Sequence, residues 1–198
     1  QKNNIPTYLI SAVFNQHQPF FKWYGSVFRK ALKCYKSVFV QDNHSLTLLK
    51  SLNIESGIVC GDTRIDRVLQ IKNEVKSFTS LENFSNNNFV IIAGSSWPND
   101  EAILIPVFAE LKKLDKKMKL ILAPHETERN HILLIEKLLN EYSLTYSLYT
   151  KTNDITETDV FVIDTIGILS AAYRYGKVAY IGGGFDNGIH NILEPAVY

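Results

Sequence analysis

The residues best suited to chemistry lie near the end of the chain. Three consecutive glycines, Gly182, Gly183 and Gly184, follow a short apolar run at residues 178–181, and Gly188 then leads into His190, Asn191 and Glu194. Glycines let a backbone come close to a ligand, and the free N–H groups at a helix start favour an anion. Asn191 and Glu194 are three apart, so on a helix they share one face. A carboxylate and an amide there suit a pair of sugar hydroxyls beside a phosphate, as a nucleotide presents them. The plainer reading is a tight turn in which Asn191 caps a helix and Glu194 takes the capping-box position.

Three further polar clusters follow apolar runs. Ser95 and Ser96 come after residues 89–93 and precede a proline and two acids, so their hydroxyls and backbone would meet a phosphate at a helix start, or serve as an ordinary cap. His125, in the stretch Pro124-His125-Glu126, would contact a phosphate or a base, or be a surface residue. Asp164 precedes Thr165, Ile166 and Gly167, where it would cap a helix over residues 165–175. A glycine in the first turn of that helix costs about 1 kcal/mol against alanine, which hints at a steric reason for it. No Walker A loop, GxSxG elbow, HExxH pair or GxGxxG after the first strand is present. No acidic pair suited to a metal sits at a strand end.

The elements that must hold these clusters alternate. From residue 89 onward, strands at 89–93, 119–123, 144–148, 160–163 and 178–181 are separated by helical patterns, one with Leu104, Val107, Phe108, Leu111 and Leu114 inward, the next with Leu134, Ile135, Leu138 and Leu139. This succession predicts a doubly wound α/β domain with a parallel sheet, whose ligands bind beyond the carboxyl ends of the strands. All four polar clusters would then line one rim. Earlier, strands at 7–13, 37–41 and 57–60 surround a helix capped by Asn43 with Leu46, Leu49 and Leu52 on one stripe, and a further helix carries Ile65, Val68, Leu69 and Val75 inward. Residues 78–88, rich in Ser, Thr and Asn, lack periodicity and mark a boundary. The expected division is 1–62, a helix and linker at 63–88, and 89–198.

Charge is segregated. Residues 1–41 hold Lys2, Lys22, Arg29, Lys30, Lys33 and Lys36 and no acid, a charge of +6, and the remainder is −5. Phe20, Phe21, Trp23 and Tyr24 stand beside a short basic helix that Ser26 would cap and that would run to Lys36. Aromatics among lysines without acids fit an anionic lipid surface, or rings packed under a loop with lysines in water. Cys34 and Cys60 show no metal-ligand spacing and suit a reducing compartment. No stretch reaches the roughly 18 apolar residues of a membrane span. The chain opens on Gln1 and closes inside an apparent helix, so a piece of a longer protein is expected.

Taken in order, the clusters resemble a known family. Residues 181–196, IGGGFDNGIHNILEPA with its HNxxEP core, resemble the signature of the 3-deoxy-D-manno-octulosonic acid (Kdo) transferases of lipopolysaccharide synthesis. Gly61-Asp62-Thr63-Arg64-Ile65-Asp66 stands where that family has GNxKxD, and Gly94-Ser95-Ser96-Trp97 with Asp100-Glu101 where it has an (A/G)S(T/S) loop and acids. Residues 122–129 resemble LAPRHxER, and residues 164–169 resemble DTMGEL. His125 takes the place of the family arginine, Glu126 that of the next histidine, and Ile168 that of a glutamate.

The resemblance implies a GT-B fold, here the later half of the N-terminal Rossmann-like domain and most of the C-terminal one. It implies inverting, metal-independent transfer of Kdo from CMP-Kdo to a lipid A precursor, with no cofactor and no nucleic acid, at the cytoplasmic face of the bacterial inner membrane. Ser95, Ser96, His125, Thr165, Ile166, Gly167, His190, Asn191 and Glu194 would bind the donor nucleotide, and Trp23, Arg29, Lys30 and Lys33 would face the acceptor and an anionic membrane. The family's general base is a carboxylate in a glycine-rich segment that these residues do not contain, so no catalytic residue is expected in this chain and the chain alone would be inactive. The alternatives are a GT-B transferase using a UDP-sugar and a non-catalytic nucleotide-binding module.

Overall fold

The computed structural model describes residues 5–74, 77–151, 157–185 and 188–198. The chain divides into two compact units, Gln1–Arg67 and Val68–Tyr198. In the first, β1 (Tyr8–Ala12), β2 (Ser37–Val40) and β3 (Gly57–Val59) lie side by side in that order, all parallel. Val38 and Val40 of the middle strand are fully buried and pack with Phe14, Leu32, Leu49 and Ile54 under α1 (Ser26–Leu32) and α2 (Asn43–Ser51).

Three expectations for this unit are corrected. Among the described residues, the strand expected to be buried at 7–13 lies at the margin of the sheet, with Tyr8 and Ile10 exposed. Helix α2 is capped by Asp42 rather than Asn43: Asp42 is still extended, and its carboxylate accepts the Ser45 N–H at 2.6 Å. That bond is the first of the contacts holding the Asp42 carboxyl below its ordinary range. Gly25, not Ser26, takes the cap position of α1, which ends at Leu32 instead of Lys36.

Helix α3 (Thr63–Asn73) carries the chain across the division; of its expected inward stripe only Val68 is buried, Ile65 and Leu69 are exposed, and Val75 lies outside the described residues. The second unit begins its core with α4 (Thr79–Ser85), in the segment expected to be an aperiodic linker. Leu81 and Phe84, spaced by three, are buried there, and Phe84 meets Phe161 with ring centroids 5.4 Å apart. The polar residues between them hide this pair from a periodicity reading.

Five parallel strands follow: β4 (Phe89–Ser96), β5 (Met118–Pro124), β6 (Tyr146–Leu148), β7 (Val160–Val162) and β8 (Val178–Ile181), ordered β6-β7-β5-β4-β8. Leu120 and Leu122 of β5 face α5 (Pro98–Leu114) and α6 (Arg129–Glu141), whereas Ile121 and Ala123 face α4 and α7 (Leu169–Ala172). Both faces are therefore covered, which explains the apolar run of β5 from Leu120 to Pro124. Val107 and Leu114 of α5 and Leu134 of α6, expected inward, are exposed; Ile105 and Ala109 fill the core instead.

Candidate functional site

Strands β7, β5, β4 and β8 are neighbours and parallel, so their carboxyl ends form one rim of the second unit. Residues 94–96, expected as loop, are the end of β4 and carry a bulge: Ser95 has φ 52° and the register shifts between Gly94 and Ser96. Ser95 is half-buried at the rim. Ser96 is fully buried and its hydroxyl donates to Glu101 Oε1 at 2.8 Å, so the expectation that it faces a ligand is corrected. The Ser95 carbonyl approaches Gly182 so closely that a Cβ there would lie 2.2 Å from it.

Asp100, buried in the first turn of α5, is the hub of this rim. Its carboxylate accepts the Trp97 N–H at 2.9 Å, the Gly183 N–H at 3.0 Å and the Tyr180 hydroxyl at 2.6 Å, tying the ends of β4 and β8 to one helix start. Burial, helped by Asp100, pushes the Tyr180 phenol up to about 12. Gly183 has φ +93°, the left-handed region that favours glycine, and this turn delivers its N–H to Asp100. In the sequence Asp100 is legible only as a first-turn acid; its position three residues after Trp97 is the available signal for the bond back to that backbone.

Glu101 holds a second buried network. His131 Nδ1 lies 3.0 Å from the Glu126 carbonyl, which only accepts, so Nδ1 is assigned the proton from this bond. His131 Nε2 and Glu101 Oε2, 2.8 Å apart, then share one further proton, as imidazolium with carboxylate or as imidazole with carboxylic acid. Either way the pair is neutral, as a buried site requires. Burial raises the Glu101 carboxyl above its ordinary range, with the His131 and Ser96 contacts opposing that shift. The chain Ser96–Glu101–His131–Glu126 fastens the loop bearing His125 to the end of β4; neither sequence spacing nor motif pairs Glu101 with His131.

The rings of His125 and His190 stack at 4.4 Å, and His125 also stacks on Trp97 at 4.6 Å. The Trp97 and His190 rings are near-parallel at 13°, joined by a bond from Trp97 Nε1–H to His190 Nε2 at 2.9 Å. Asn191 takes partly the capping role: its Oδ1 accepts the Leu193 N–H at 3.1 Å at the start of α8 (Leu193–Ala196), and its Nδ2 donates to Glu194 at 3.2 Å. Glu194 also raises the phenol of buried Tyr173, after burial itself, so its carboxylate lies near that ring.

The structure therefore brings Ser95, His125, His190 and the glycine turn together. Thr165, Ile166 and Gly167 lie at the end of β7 and make no hydrogen bond to that group among the described residues; Ile166 is 84% exposed. The helix expected over 165–175 is α7 followed by a 3-10 turn, Tyr173–Tyr175, so Gly167, at φ +92°, precedes the helix instead of lying in its first turn. Asp164 does not cap that helix: its carboxylate accepts from the Thr150 N–H at 2.9 Å and from the Thr150 hydroxyl. A cavity of about 410 Å³ beside it is lined by Thr127, Arg129, Thr150, Lys151 and Asp164. Asp186 and Asn187 of the glycine loop lie outside the described residues.

In the first unit, Trp23 is 91% exposed. One terminal nitrogen of the Arg29 guanidinium donates to the carbonyls of Phe20 and Lys22 at 3.0 and 2.9 Å, holding the aromatic loop, and Arg29 lines the same hollow as Lys30 and Lys33. Lys30 and Lys33 line a cavity of about 400 Å³ with Ser51 and Asn53. Among the described residues no group of three or more His, Cys, Asp or Glu is placed to hold a metal, and no helix is long and apolar enough to cross a membrane.

No family model matches the chain. It is 26% identical over 176 residues to a 3-deoxy-D-manno-octulosonic acid transferase of Rickettsia felis, covering 87% of this chain and 37% of the relative. It is 37% identical over 109 residues to the transferase of the same description from Aquifex aeolicus, covering 54% of this chain and 29% of the relative. The chain thus spans under two fifths of the length of these relatives. Its fold is similar to the C-terminal CMP-Kdo binding domain of WaaA from Acinetobacter baumannii, with TM-score 0.54 and 24% identity over 67% of this chain and 65% of that one. Parallel sheets with alternating helices and this likeness make the fold GT-B-like α/β. The chain is thus similar to 3-deoxy-D-manno-octulosonic acid transferases along part of their length.

Proposed function

We propose that the protein to which this chain belongs transfers Kdo from CMP-Kdo to a lipid A precursor, and that the rim of the second unit binds the donor nucleotide. The observation that carries the reading is the gathering of His125, His190 and the Gly182–Gly183 turn at adjacent strand ends, in a chain similar to Kdo transferases along 87% of its length. Imidazole nitrogens and backbone N–H groups at such a rim suit phosphate and sugar oxygens. Glu194 and Asn191 meet the ribose, and Thr165 to Gly167 meet the base. The acceptor hydroxyl attacks the anomeric carbon with inversion as CMP leaves; the base that takes its proton lies in a segment these residues do not contain, so the 198 residues alone bind donor without turnover. No metal or cofactor takes part.

Thermal stabilisation of the chain by CMP, UMP and UDP tests this. A ligand at 100 times its Kd stabilises by about 2.7 kcal/mol; CMP is expected to give the largest shift. A larger shift with UDP would transfer the site to a UDP-sugar enzyme, and equal absence of shift would remove the nucleotide site. Lys30 and Lys33, with Trp23, are proposed to face the anionic inner surface of the inner membrane. Exchanging Lys30, Lys33 and Lys36 for glutamate should lower retention on anionic liposomes, and unchanged retention would assign those lysines to solvent.

A further inference from the structure

The Trp97 side chain bears on how His190 is used. Its Nε1 is a donor only, and His190 Nε2 lies 2.9 Å away in a near-parallel ring. Two N–H groups facing each other at that distance would repel, so Nε2 must present its lone pair. The neutral imidazole then carries its proton on Nδ1. Among the described residues no group bonds to Nδ1. The pair is held on three sides. Asp100 fixes the Trp97 backbone at 2.9 Å, Gly183 leaves room where a Cβ would come within 3.0 Å of His190 Cδ2, and the His125 ring covers one face.

We propose that Trp97 is a positioning residue that fixes His190 in the Nδ1–H tautomer, so that the rim offers an oriented neutral hydrogen-bond donor to an oxygen of the bound nucleotide. The proposal rests on the nucleotide reading of the rim for its ligand, and on the hydrogen bond alone for its tautomer. Trp97 does the same for His190 that a carbonyl does for a metal-ligating histidine: it selects which nitrogen is free to act. The His125 ring, stacked on the joined rings, keeps both its nitrogens clear of protein bonds among the described residues.

The test uses the whole chain labelled with 15N at histidine, and CMP as the probe. In the unsubstituted protein the His190 resonances should show Nδ1 protonated and Nε2 unprotonated. Trp97→Phe keeps an aromatic ring for His125 but loses the N–H, so His190 should become a mixture of tautomers and CMP should bind about three- to tenfold more weakly. His190→Asn places an amide N–H near the Nδ1 position without needing Trp97, so in that background Trp97→Phe should change CMP affinity by less than about twofold. A protonated Nε2 or mixed tautomers in the unsubstituted protein would overturn the inference, whether or not Trp97→Phe folds. A fixed tautomer with undiminished CMP affinity in Trp97→Phe would overturn the ligand role. A fixed tautomer without any CMP binding would instead overturn the nucleotide reading and support the hold of Trp97 on His190.

Discussion

Both ends of the second sheet carry polar side chains and use them differently. At the carboxyl ends, Asp100 and Glu101 are buried and spend their oxygens on Trp97, Gly183, Tyr180, Ser96 and His131, and the nitrogens left over belong to His125 and His190. At the amino ends, a cavity of about 480 Å³ is lined by Lys112, Lys113, Lys116, Lys119, Glu157 and Asp159. There the charges answer one another. Lys112 pairs with Asp159 at 2.9 Å and donates to the carbonyls of Lys116 and Met118, where a cation also suits the end of α5. Lys119 donates to the Thr158 carbonyl; burial first, then the charge of Lys112, draws its ammonium below the ordinary lysine range. Burial raises the Asp159 carboxyl, but the bonds from Lys112 and Thr145 outweigh it and leave it low. The charges around the lysine-lined hollow are therefore largely spent on one another. What marks a binding rim here is unspent hydrogen-bonding capacity on a rigid frame, and neither volume nor charge count reports that.

The contrast can be broken most severely at its hub. Asp100→Ala leaves two N–H groups and the Tyr180 hydroxyl without their acceptor, and should lower unfolding free energy by about 3–5 kcal/mol in urea while reducing CMP affinity at least tenfold. A loss under about 1 kcal/mol would deny Asp100 its role. Glu101→Ala should cost about 3 kcal/mol, whereas Glu101→Gln, able to accept from Ser96 and donate to His131 Nε2, should stay within about 1 kcal/mol.

The pH response gives this second pair its sign. Because the Glu101 carboxyl is raised in the fold, its stabilising contribution is full below the unfolded value of about 4.3 and is lost as pH rises through the raised value. Glu101→Gln should remove that decline, and urea midpoints measured from pH 4 to pH 8 would reveal it. An unchanged slope would mean that the pair keeps the carboxylate charged throughout. Gly182→Ala drives a methyl into the Ser95 carbonyl and should cost about 1–3 kcal/mol, with weaker CMP binding from the displaced turn. The smallest effect belongs to the other end: Lys112→Ala should cost about 1 kcal/mol or less and leave CMP affinity within twofold. A marked fall in CMP affinity there would move the site to the lysine-lined cavity and dissolve the comparison.

Much of the frame is legible in the residues. The run at 119–123 announces a strand of the parallel sheet, and the glycine turn before His190 announces a close approach. The burial of Ser96 is not legible, because it depends on Glu101 five residues later folding back from α5 onto the hydroxyl. Nor is α4, since Leu81 and Phe84 stand among polar residues and are marked as core only by their burial, with Phe161 against Phe84. Trp97 and Asp100 appear in the sequence as an aromatic and a first-turn acid; their partners Gly183 and His190 lie far along the chain, at the end of a strand whose place beside β4 no local pattern states.

By itself the sequence determined the alternation of strands and helices, the parallel sheet and the approach of four polar clusters to one rim, because hydrophobic period and glycine placement are local properties. Only the tertiary structure decided which polar groups are consumed inside and which remain for a ligand. Hydrogen-bond satisfaction is settled between residues brought together from distant parts of the chain, and burial makes each such pairing exclusive.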